Sequence, residues 1–336
     1  MRVSVIVTVR NEERAVGRLL DSLIGQTRRP DEVVIVDGGS SDGTVAILRE
    51  YSQRDNRIRA LAAPGANIAQ GRNAAIRVAT GEVIAATDAG VRLVPEWLAE
   101  LLRPFEAPGG KEVDVVAGFF ASDPRGPFEL ALGATTLPAE SEIDPDSFLP
   151  SSRSVAFRRS AWERVGGYPE GLDYCEDVVF DQDLRRAGLR FVFAPLALAR
   201  FRPRSSPRAF ARQYYLYARG DGKADLWRRR HAIRYATYLL GPLAFLFGFC
   251  YKRTWLALAA AIGVYLHRPY RHLLPELRGR GATDRVAALL WVPVDRLLGD
   301  VAKMIGYPVG VVWRLRHGKP GRSQPVNARP INAERI

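Results

Sequence analysis

The chain has 336 residues, 47% of them hydrophobic, and is long enough for one large or two small domains. Its two cysteines, Cys175 in a polar stretch and Cys250 in an apolar one, argue against a disulfide and fit a reducing compartment. Charge is uneven: residues 1–199 carry 23 Lys and Arg against 29 Asp and Glu, and residues 200–336 carry 26 against 7. The second half is therefore expected to face something anionic, either nucleic acid or a phospholipid surface.

Strands and helices alternate over the first 90 residues, after an N-terminus that charged residues interrupt too early for a signal peptide. The predicted strands are 2–9, 32–39, 57–63 and 81–90, and the predicted helices are 12–26, 42–54 and 68–80. This alternation predicts an α/β fold with a parallel, doubly wound sheet. No G-x-G-x-x-G follows the first strand, which argues against the usual dinucleotide site.

The stretch VDGGSSDGT at residues 36–44 has more small polar residues than a chain reversal needs. A turn and a helix cap account for the residues from Ser40 onward, but not for Asp37. Asp37 and Asp88 each end a predicted strand and should share the carboxyl edge of the sheet, where open α/β sheets bind ligands. We expect Asp37 to contact a ligand there.

The helix start GANIAQGRNAAI places Gly71 and Arg72 near an end with free N–H groups. That arrangement suits a phosphate or a ribose, and a plain helix entry is the alternative. Further on, YCEDVVFDQDLRRAG brings Glu176 and Asp177 to the start of another helix. Capping of the helix is an alternative role for them, because the helix dipole favours carboxylates at this end. Asp181, within the same helix, is interpreted as part of an acidic face matched by arginines.

The back half contains two uncharged apolar segments, 235–251 and 254–266, with RRRH before the pair and HRPYRH after it. A soluble helical hairpin is one interpretation. Aromatic and basic flanks favour membrane association instead, either as a crossing hairpin or as one lying in the plane of the interface. An amphipathic helix around 290–305 also suits a bilayer surface.

The ordered set of motifs resembles family 2 glycosyltransferases with a GT-A fold, over roughly residues 1–225. The matching segments are VSVIVTVRNEE, VDGGSSDGT, GRNAA, TDAG, GGYPE, and ED before a helix that ends in RRAG. The resemblance implies a Rossmann-like, mostly parallel sheet flanked by helices, to which the C-terminal hydrophobic and amphipathic helical region is added. It also implies transfer of a sugar from a nucleotide-diphosphate donor to an acceptor.

The resemblance assigns the donor contacts residue by residue. Thr8 and Glu12 would border the base and ribose, and Asp37 would accept a hydrogen bond from the base. Gly71 and Arg72 would lie near the ribose or the diphosphate. Arg212 and Arg219, on a later helix, lie where the family often carries a Gln/Arg-rich element near the donor.

The catalytic assignments also follow from the resemblance. Asp88 corresponds to the first acid of the family's D-x-D element and would hold Mg²⁺ or Mn²⁺ together with the donor phosphates. The third position of that element is Gly90 instead of an acid, so a weaker cation requirement is expected. Asp177 would be the catalytic base, with Glu176 beside it in the ED pair. Direct attack assisted by a single base implies inversion at the anomeric carbon.

The sequence therefore predicts an inverting, hexosyltransferase-type enzyme acting on a glycan or a lipid-linked acceptor of the cell envelope, with membrane lipids rather than nucleic acid as partner. The predicted divisions are a catalytic domain over 1–225, a membrane-associated helical region over 226–317, and a disordered basic tail over 318–336. The catalytic domain is expected to be cytoplasmic at a membrane. The alternatives are a non-catalytic, membrane-docked nucleotide-sugar binder and a nucleotidyltransferase.

Overall fold

The structure, a computed structural model, describes residues 1–318 and 334–336, which fall into two compact units. The first unit comprises residues 1–121 and 140–201 together with the described C-terminal residues. The second comprises residues 122–139 and those from 202 to 318. The helix that starts at Pro207 therefore groups with the later helices, whereas the sequence placed it in a catalytic domain ending at 225.

The first unit is built on a single sheet. Its strands are β1 (Val3–Val9), β2 (Glu32–Asp37), β3 (Ile58–Ala62), β4 (Val83–Asp88), β5 (Val91–Leu93), β6 (Val115–Ser122), β7 (Val155–Arg158), β8 (Phe191–Phe201) and β9 (Glu334–Arg335). The described strands lie in the order β5-β8-β6-β7-β4-β1-β2-β3-β9. β1 pairs in parallel with both β2 and β4, and β2 pairs in parallel with β3. The pairs β4–β7, β6–β7, β5–β8 and β3–β9 are antiparallel, so the sheet is mixed.

Helices cover both faces of this sheet. They are α1 (Val16–Ile24), α2 (Thr44–Arg54), α3 (Ile68–Val78), α4 (Trp97–Glu106), α6 (Arg159–Val165) and α7 (Glu176–Arg186), with α5 (Pro127–Thr136) belonging to the second unit. Two apolar clusters, one on each face of the sheet, contain alternate residues of β1: Val5 and Val7 pack on one side and Ile6 on the other. Strands buried on both faces explain the uninterrupted valine and isoleucine runs of the sequence.

Strand order reverses beside β1, because the chain passes from β1 to β2 on one side and returns to β4 on the other. Such a switch point opens a crevice at the carboxyl ends of the strands. Thr8 of β1 is in register with Asp88 of β4, and Val9 with Asp37 of β2. The two strand-terminal aspartates therefore share one edge, as the sequence predicted.

The second unit contains α5 together with α8 (Pro207–Ala224), α9 (Arg228–Phe247), α10 (Arg253–Glu276) and α11 (Ala282–His317). α8 and α11 run side by side in the same direction with their backbones in contact. A Cβ added at Gly306 would overlap the carbonyl oxygen of Tyr215, and one added at Gly310 would overlap that of Arg219. Glycine is therefore required where these two helices meet.

The exposed surface of the second unit is strongly apolar. Large hydrophobic side chains are exposed along α9, α10 and α11: Leu239, Leu240, Leu243, Leu246, Phe247, Leu256, Ile262, Val264, Leu290, Val294, Leu297, Val301 and Ile305. On α11 the buried positions instead include Asp295, Gly299 and Asp300. In residues 1–318, no helix has an apolar segment long enough to cross a membrane.

Most of the predicted basic tail, residues 319–333, lies outside the described residues. The final residues do not fit the predicted disorder. Glu334 and Arg335 pair with Ala62 and Leu61 on the open edge of β3, and Ile336 donates its N–H to the carbonyl of Ala60 at 3.0 Å. Ile336 also packs against the core, which gives this end of the chain an apolar anchor.

Candidate active site

Four of the predicted donor residues lie together at the switch point between β1 and β4: Thr8, Gly71, Arg72 and Asp88. α3 approaches β1 closely there, because a Cβ at Gly71 would lie 2.8 Å from Cγ2 of Thr8. A glycine at this position thus lets the helix carrying Arg72 lie directly against the strand carrying Thr8. Glu12 is half-buried just beyond β1, and its N–H donates to Oγ1 of Thr44 at 2.8 Å.

Arg72 joins the two predicted acidic motifs. Its Nη2 lies 2.9 Å from Oδ1 of Asp88, and its Nη1 lies 2.7 Å from Oε1 of Glu176. The side chain is only 3% exposed, and its guanidinium lies 5.3 Å from the ring centroid of Tyr168. Burial alone would lower the pKa of Arg72, but the carboxylates of Asp88 and Glu176 outweigh it and raise that pKa. Arg72 therefore fixes the end of β4 against the first turn of α7.

The two acids of the ED pair have different surroundings. Glu176 is buried and committed to Arg72, whereas Asp177 is half-buried, and no ion pair of its carboxylate occurs within residues 1–318. Burial and the neighbouring Asp177 raise the pKa of Glu176 to about 7, although Arg72 acts in the opposite direction. Asp177 is thus the more exposed acid of the pair.

Asp181 is not part of an exposed acidic face, in contrast to the interpretation of the sequence. It is 3% exposed, and its Oδ2 is buried without a hydrogen-bond partner in the described chain. Burial, and then Asp177 one helical turn away, raise the pKa of Asp181 well above its usual range. Because a neutral carboxyl tolerates this environment better than a charged one, Asp181 adds less negative charge to the site than the sequence suggests.

Asp37 forms the loop that follows β2. Its Oδ2 accepts hydrogen bonds from the N–H groups of Gly39 at 3.0 Å and Ser40 at 2.9 Å, and its Oδ1 accepts one from Oγ of Ser40. The residue is 2% exposed. Asp37 is thus part of the turn, together with the residues from Ser40 onward. A nucleotide base that donates a hydrogen bond to Asp37 would do so alongside these loop donors. Its contact with a base stays a prediction.

Asn73, beside Arg72, has a structural role. Its side chain bonds to the backbone of Tyr168 in both directions, at 2.9 Å, and accepts from Nε1 of Trp162 at 3.0 Å. The GRNAA and GGYPE motifs are therefore in contact, although they lie about 90 residues apart in the sequence. This contact holds α3 in the position from which Arg72 reaches both acids.

Arg212 and Arg219 lie on α8 in the second unit, the first exposed and the second half-buried. Their predicted part in binding the donor stays a prediction. The sequence interpretation missed another arginine, Arg153, whose Nε lies 3.8 Å from Oδ2 of Asp88. An arginine among serines directly before an apolar run, in SSRSVAF, was the signal available for it.

Comparison with known proteins agrees with this geometry. The profile of glycosyl transferase family 2 matches residues 4–164. Putative glycosyltransferase EpsH of Bacillus subtilis is 33% identical over 36% of this chain and 34% of its own length. Uncharacterized glycosyltransferase EpsJ of the same organism is 26% identical over 64% of this chain and 60% of its own. The chain thus spans between one third and two thirds of the length of these relatives.

Solved structures share the fold. The mannosyltransferase PcManGT from Pyrobaculum calidifontis, in complex with GDP-Man and Mn²⁺, aligns over 95% of this chain and 88% of its own, with a TM-score of 0.53 and 19% identity. Residues 1–349 of TarS from S. aureus, in complex with UDP-GlcNAc, align over 95% and 93%, with a TM-score of 0.50 and 19% identity. The fold is therefore the expected GT-A type, and residues 4–164 resemble glycosyl transferase family 2.

Proposed function

We propose that this protein transfers a sugar from a nucleotide-diphosphate sugar to an acceptor hydroxyl. The observation that carries the proposal is the Arg72 bridge, which brings the strand-terminal Asp88 and the start of α7 into one site at the switch point. Relatives named as glycosyltransferases support the reaction class. Neighbours of the same fold that were solved with GDP-Man and UDP-GlcNAc support the donor class.

Asp177 is proposed as the base. It lies in the first turn of α7, at the positive end of the helix dipole, and is the more exposed acid of the ED pair. In the reaction the acceptor hydroxyl gives its proton to Asp177 as its oxygen bonds to the anomeric carbon. The bond from that carbon to the diphosphate breaks, and the nucleotide diphosphate leaves with the bonding electrons. One direct displacement inverts the anomeric configuration, as expected for a hexosyltransferase of this type.

Asp88 is the side chain proposed to hold a divalent cation, Mg²⁺ or Mn²⁺. The described residues contain no group of three or more acids, histidines or cysteines placed to bind a metal. Such a cation would therefore fit only with phosphate oxygens of the donor and water as its other ligands. When bound there, it would neutralise part of the charge on the leaving diphosphate.

The proposal is tested by incubating purified full-length protein with a panel of nucleotide sugars and acceptor glycans, and measuring the nucleoside diphosphate released. Asp177→Asn preserves shape but removes the base, so kcat should fall by roughly 10²- to 10⁴-fold while nucleotide affinity stays close to normal. Asp183→Asn is the matched control, because Asp183 is on the same helix and pairs with Arg186 at 2.8 Å. Nucleotide binding without turnover in any acceptor mixture would favour the non-catalytic binder.

We also propose that the protein works at a membrane, with the catalytic unit cytoplasmic and an acceptor that is lipid-linked or part of a cell-envelope glycan. The supporting observation is the apolar exterior of α9, α10 and α11. Exposed basic residues flank its apolar segments, Arg229 and Arg230 at the start of α9 and Lys252 and Arg253 at the start of α10. Apolar area with adjacent positive charge fits an anionic lipid surface.

A further inference from the structure

The turn between α9 and α10 carries a cluster of aromatic side chains, most of them exposed. We call this cluster the hairpin tip; its members are Phe245 and Phe247 at the end of α9, Phe249 and Tyr251 in the turn, and Trp255 at the start of α10. Phe249 is 71% exposed and Tyr251 is 60% exposed. The ring centroid of Trp255 lies 4.6 Å from that of Phe245 and 5.4 Å from that of Phe249, edge to face in both pairs. The hairpin tip is therefore one continuous aromatic surface.

Local contacts hold the hairpin tip in a fixed shape. The backbone of Gly248 lies against the indole of Trp255, because a Cβ added at Gly248 would be 2.7 Å from that ring. The N–H of Tyr251 donates to the carbonyl of Phe247 at 3.0 Å, so the turn continues the hydrogen bonding of α9. A surface that is already ordered loses little conformational entropy when another phase covers it.

Two cations belong to the hairpin tip. Lys252 and Arg253 follow directly on Tyr251 and are exposed at the start of α10. Residues 226–275 contain no Asp or Glu, so the sequence around the tip supplies only positive charge. Aromatic rings beside Lys and Arg are typical of the membrane–water interface, where the rings lie among head groups and the cations meet lipid phosphates.

The two helices behind the hairpin tip have one polar side and one apolar side. The hydroxyls of Tyr238 on α9 and Tyr265 on α10 lie 3.0 Å apart, and that of Tyr265 donates to Asp300 of α11 at 2.6 Å. The opposite side exposes large apolar residues: Leu239, Leu243, Leu246, Leu256, Ile262 and Val264. Helices that are apolar on one side lie in the plane of a bilayer surface, whereas helices that are apolar all round suit the hydrocarbon core.

From this arrangement we infer that the α9–α10 hairpin lies flat in the interface of one leaflet of an anionic phospholipid bilayer, with the hairpin tip at the depth of the head groups. The inference rests on the proposed membrane location and deepens it, because it names the surface that binds lipid and its orientation. Lys252 and Arg253 contact the phosphates, and the exposed rings and leucines reach the upper part of the acyl chains.

The sign of one charge effect tests this orientation. Full-length protein is floated with vesicles of phosphatidylcholine and phosphatidylglycerol, and Lys252→Gln with Arg253→Gln should weaken binding by roughly 30-fold. In a hairpin that crosses the bilayer, the same two cations must pass through hydrocarbon, so their removal should strengthen binding instead. Arg103→Gln with Lys111→Gln is the matched control, because it removes two exposed cations from the first unit and should leave flotation nearly unchanged.

Cys250, which is exposed beside the hairpin tip, allows its depth to be measured. Full-length protein labelled with a fluorescent maleimide is bound to sealed vesicles of the same lipids, and Cys250→Ser labelled in the same way gives the contribution of Cys175. We expect lipids with a doxyl group near the head group to quench the Cys250 label more than lipids with a doxyl group near the end of the acyl chain. Iodide added outside the vesicles should also quench it.

The outcomes separate this inference from the proposed function. Tighter binding of the Lys252 and Arg253 variant, or a Cys250 label that external iodide does not quench, would overturn the flat hairpin and leave the membrane location standing. Equal binding of this variant and wild type would overturn the contact between the hairpin tip and lipid phosphates. Wild type that does not float would overturn both the inference and the membrane location, while sugar transfer is still judged by the release of nucleoside diphosphate.

Discussion

Gly90 leaves the carboxyl edge of the sheet with one acid fewer than the D-x-D element would supply. The position has room for an acidic side chain, because a Cβ there meets no atom within 4 Å. We predict that Gly90→Asp, which adds a hard oxygen ligand beside Asp88, makes nucleotide binding more dependent on a divalent cation. The ratio of UDP or GDP affinity with Mn²⁺ to that in EDTA should rise by about tenfold, or roughly 1.4 kcal/mol. Calorimetry measures that ratio.

The control is Gly90→Ala, which adds the Cβ without the carboxylate and should leave the ratio unchanged. Equal ratios in Gly90→Asp and wild type would show that the two arginines at Asp88 prevent a cation from binding at this edge, even with a second acid present.

Two aspartates of α11 have pKa shifts in opposite directions. Asp295 is fully buried, and neither carboxylate oxygen has a hydrogen-bond partner in the described part of the chain. Burial raises the pKa of Asp295 to about 8. Burial would also raise the pKa of Asp300, but hydrogen bonds from Tyr265 and Arg234, each 2.6 Å long, lower it.

The sign of the pH dependence follows from these shifts. A carboxyl whose pKa is raised by folding favours the folded state at low pH, and that benefit is lost as the pH rises toward 8. Asp295→Asn cannot ionise, so its free energy of unfolding should exceed that of wild type by a few kcal/mol at about pH 8, and by almost nothing near pH 4. Denaturant unfolding across this range measures the difference.

Asp300→Asn is the opposite control on the same helix. It removes the charge that pairs with Arg234, so it should lower the free energy of unfolding by about 1 to 3 kcal/mol at neutral pH. A destabilised Asp295→Asn variant at pH 8 would mean that Asp295 has a partner bound in solution.

At the scale of elements, the parallel part of the sheet could be predicted from the sequence and the antiparallel part could not. β1 to β4 are runs of apolar residues separated by helices, so each strand can be recognised from its own stretch of sequence. β7 has four residues, and β8 contains Pro195. Such strands are defined by pairing with residues far along the chain, and a proline inside a strand argues against that assignment when only the sequence is read.

In the candidate site, too, residues marked by a local motif could be predicted and those that depend on long-range contacts could not. Asp88 and Asp177 could be predicted because each marks the end of a strand or the start of a helix within a recognisable motif. The burial of Arg72 and the position of Arg153 depend on contacts between segments up to 104 residues apart, which no local pattern contains. Asp37 could be placed at the edge, but its three bonds to its own loop depend on the loop conformation.

The close contact between α8 and α11 predicts that Gly310 cannot be replaced without a loss of stability. Gly310→Ala places a methyl group against the carbonyl of Arg219, so the helices must separate, and we expect a loss of about 1 to 3 kcal/mol in stability. Gly263→Ala on α10 is the control, because a Cβ there meets nothing within 4 Å. It should stabilise the protein by about 0.5 to 1 kcal/mol through helix propensity. Thermal unfolding of both variants decides whether the close helix contact persists in solution.

For the whole molecule, the distribution of charge and apolar surface differs between the two units. The first unit buries its apolar strands beneath helices, as soluble domains do. In the second, Asp300, Arg234 and Tyr265 form a mostly buried polar network, while leucines and phenylalanines of α9 face outward. Exposed apolar patches of this kind are typical of surfaces that bind a lipid or protein partner.

We therefore predict that the full-length protein floats with vesicles containing anionic phospholipid. Leu243 and Phe247 are each 55% exposed on α9, and replacing both with Asp should abolish flotation because charge on this face opposes burial in lipid. Leu196→Asp is the control, since Leu196 is 62% exposed but lies in the first unit. High salt should weaken flotation without abolishing it, because salt screens the basic flanks but not the apolar contact. Wild type that stays unbound in low salt without detergent contradicts the prediction, and a soluble oligomer that the double substitution dissociates would identify a second copy as the covering surface.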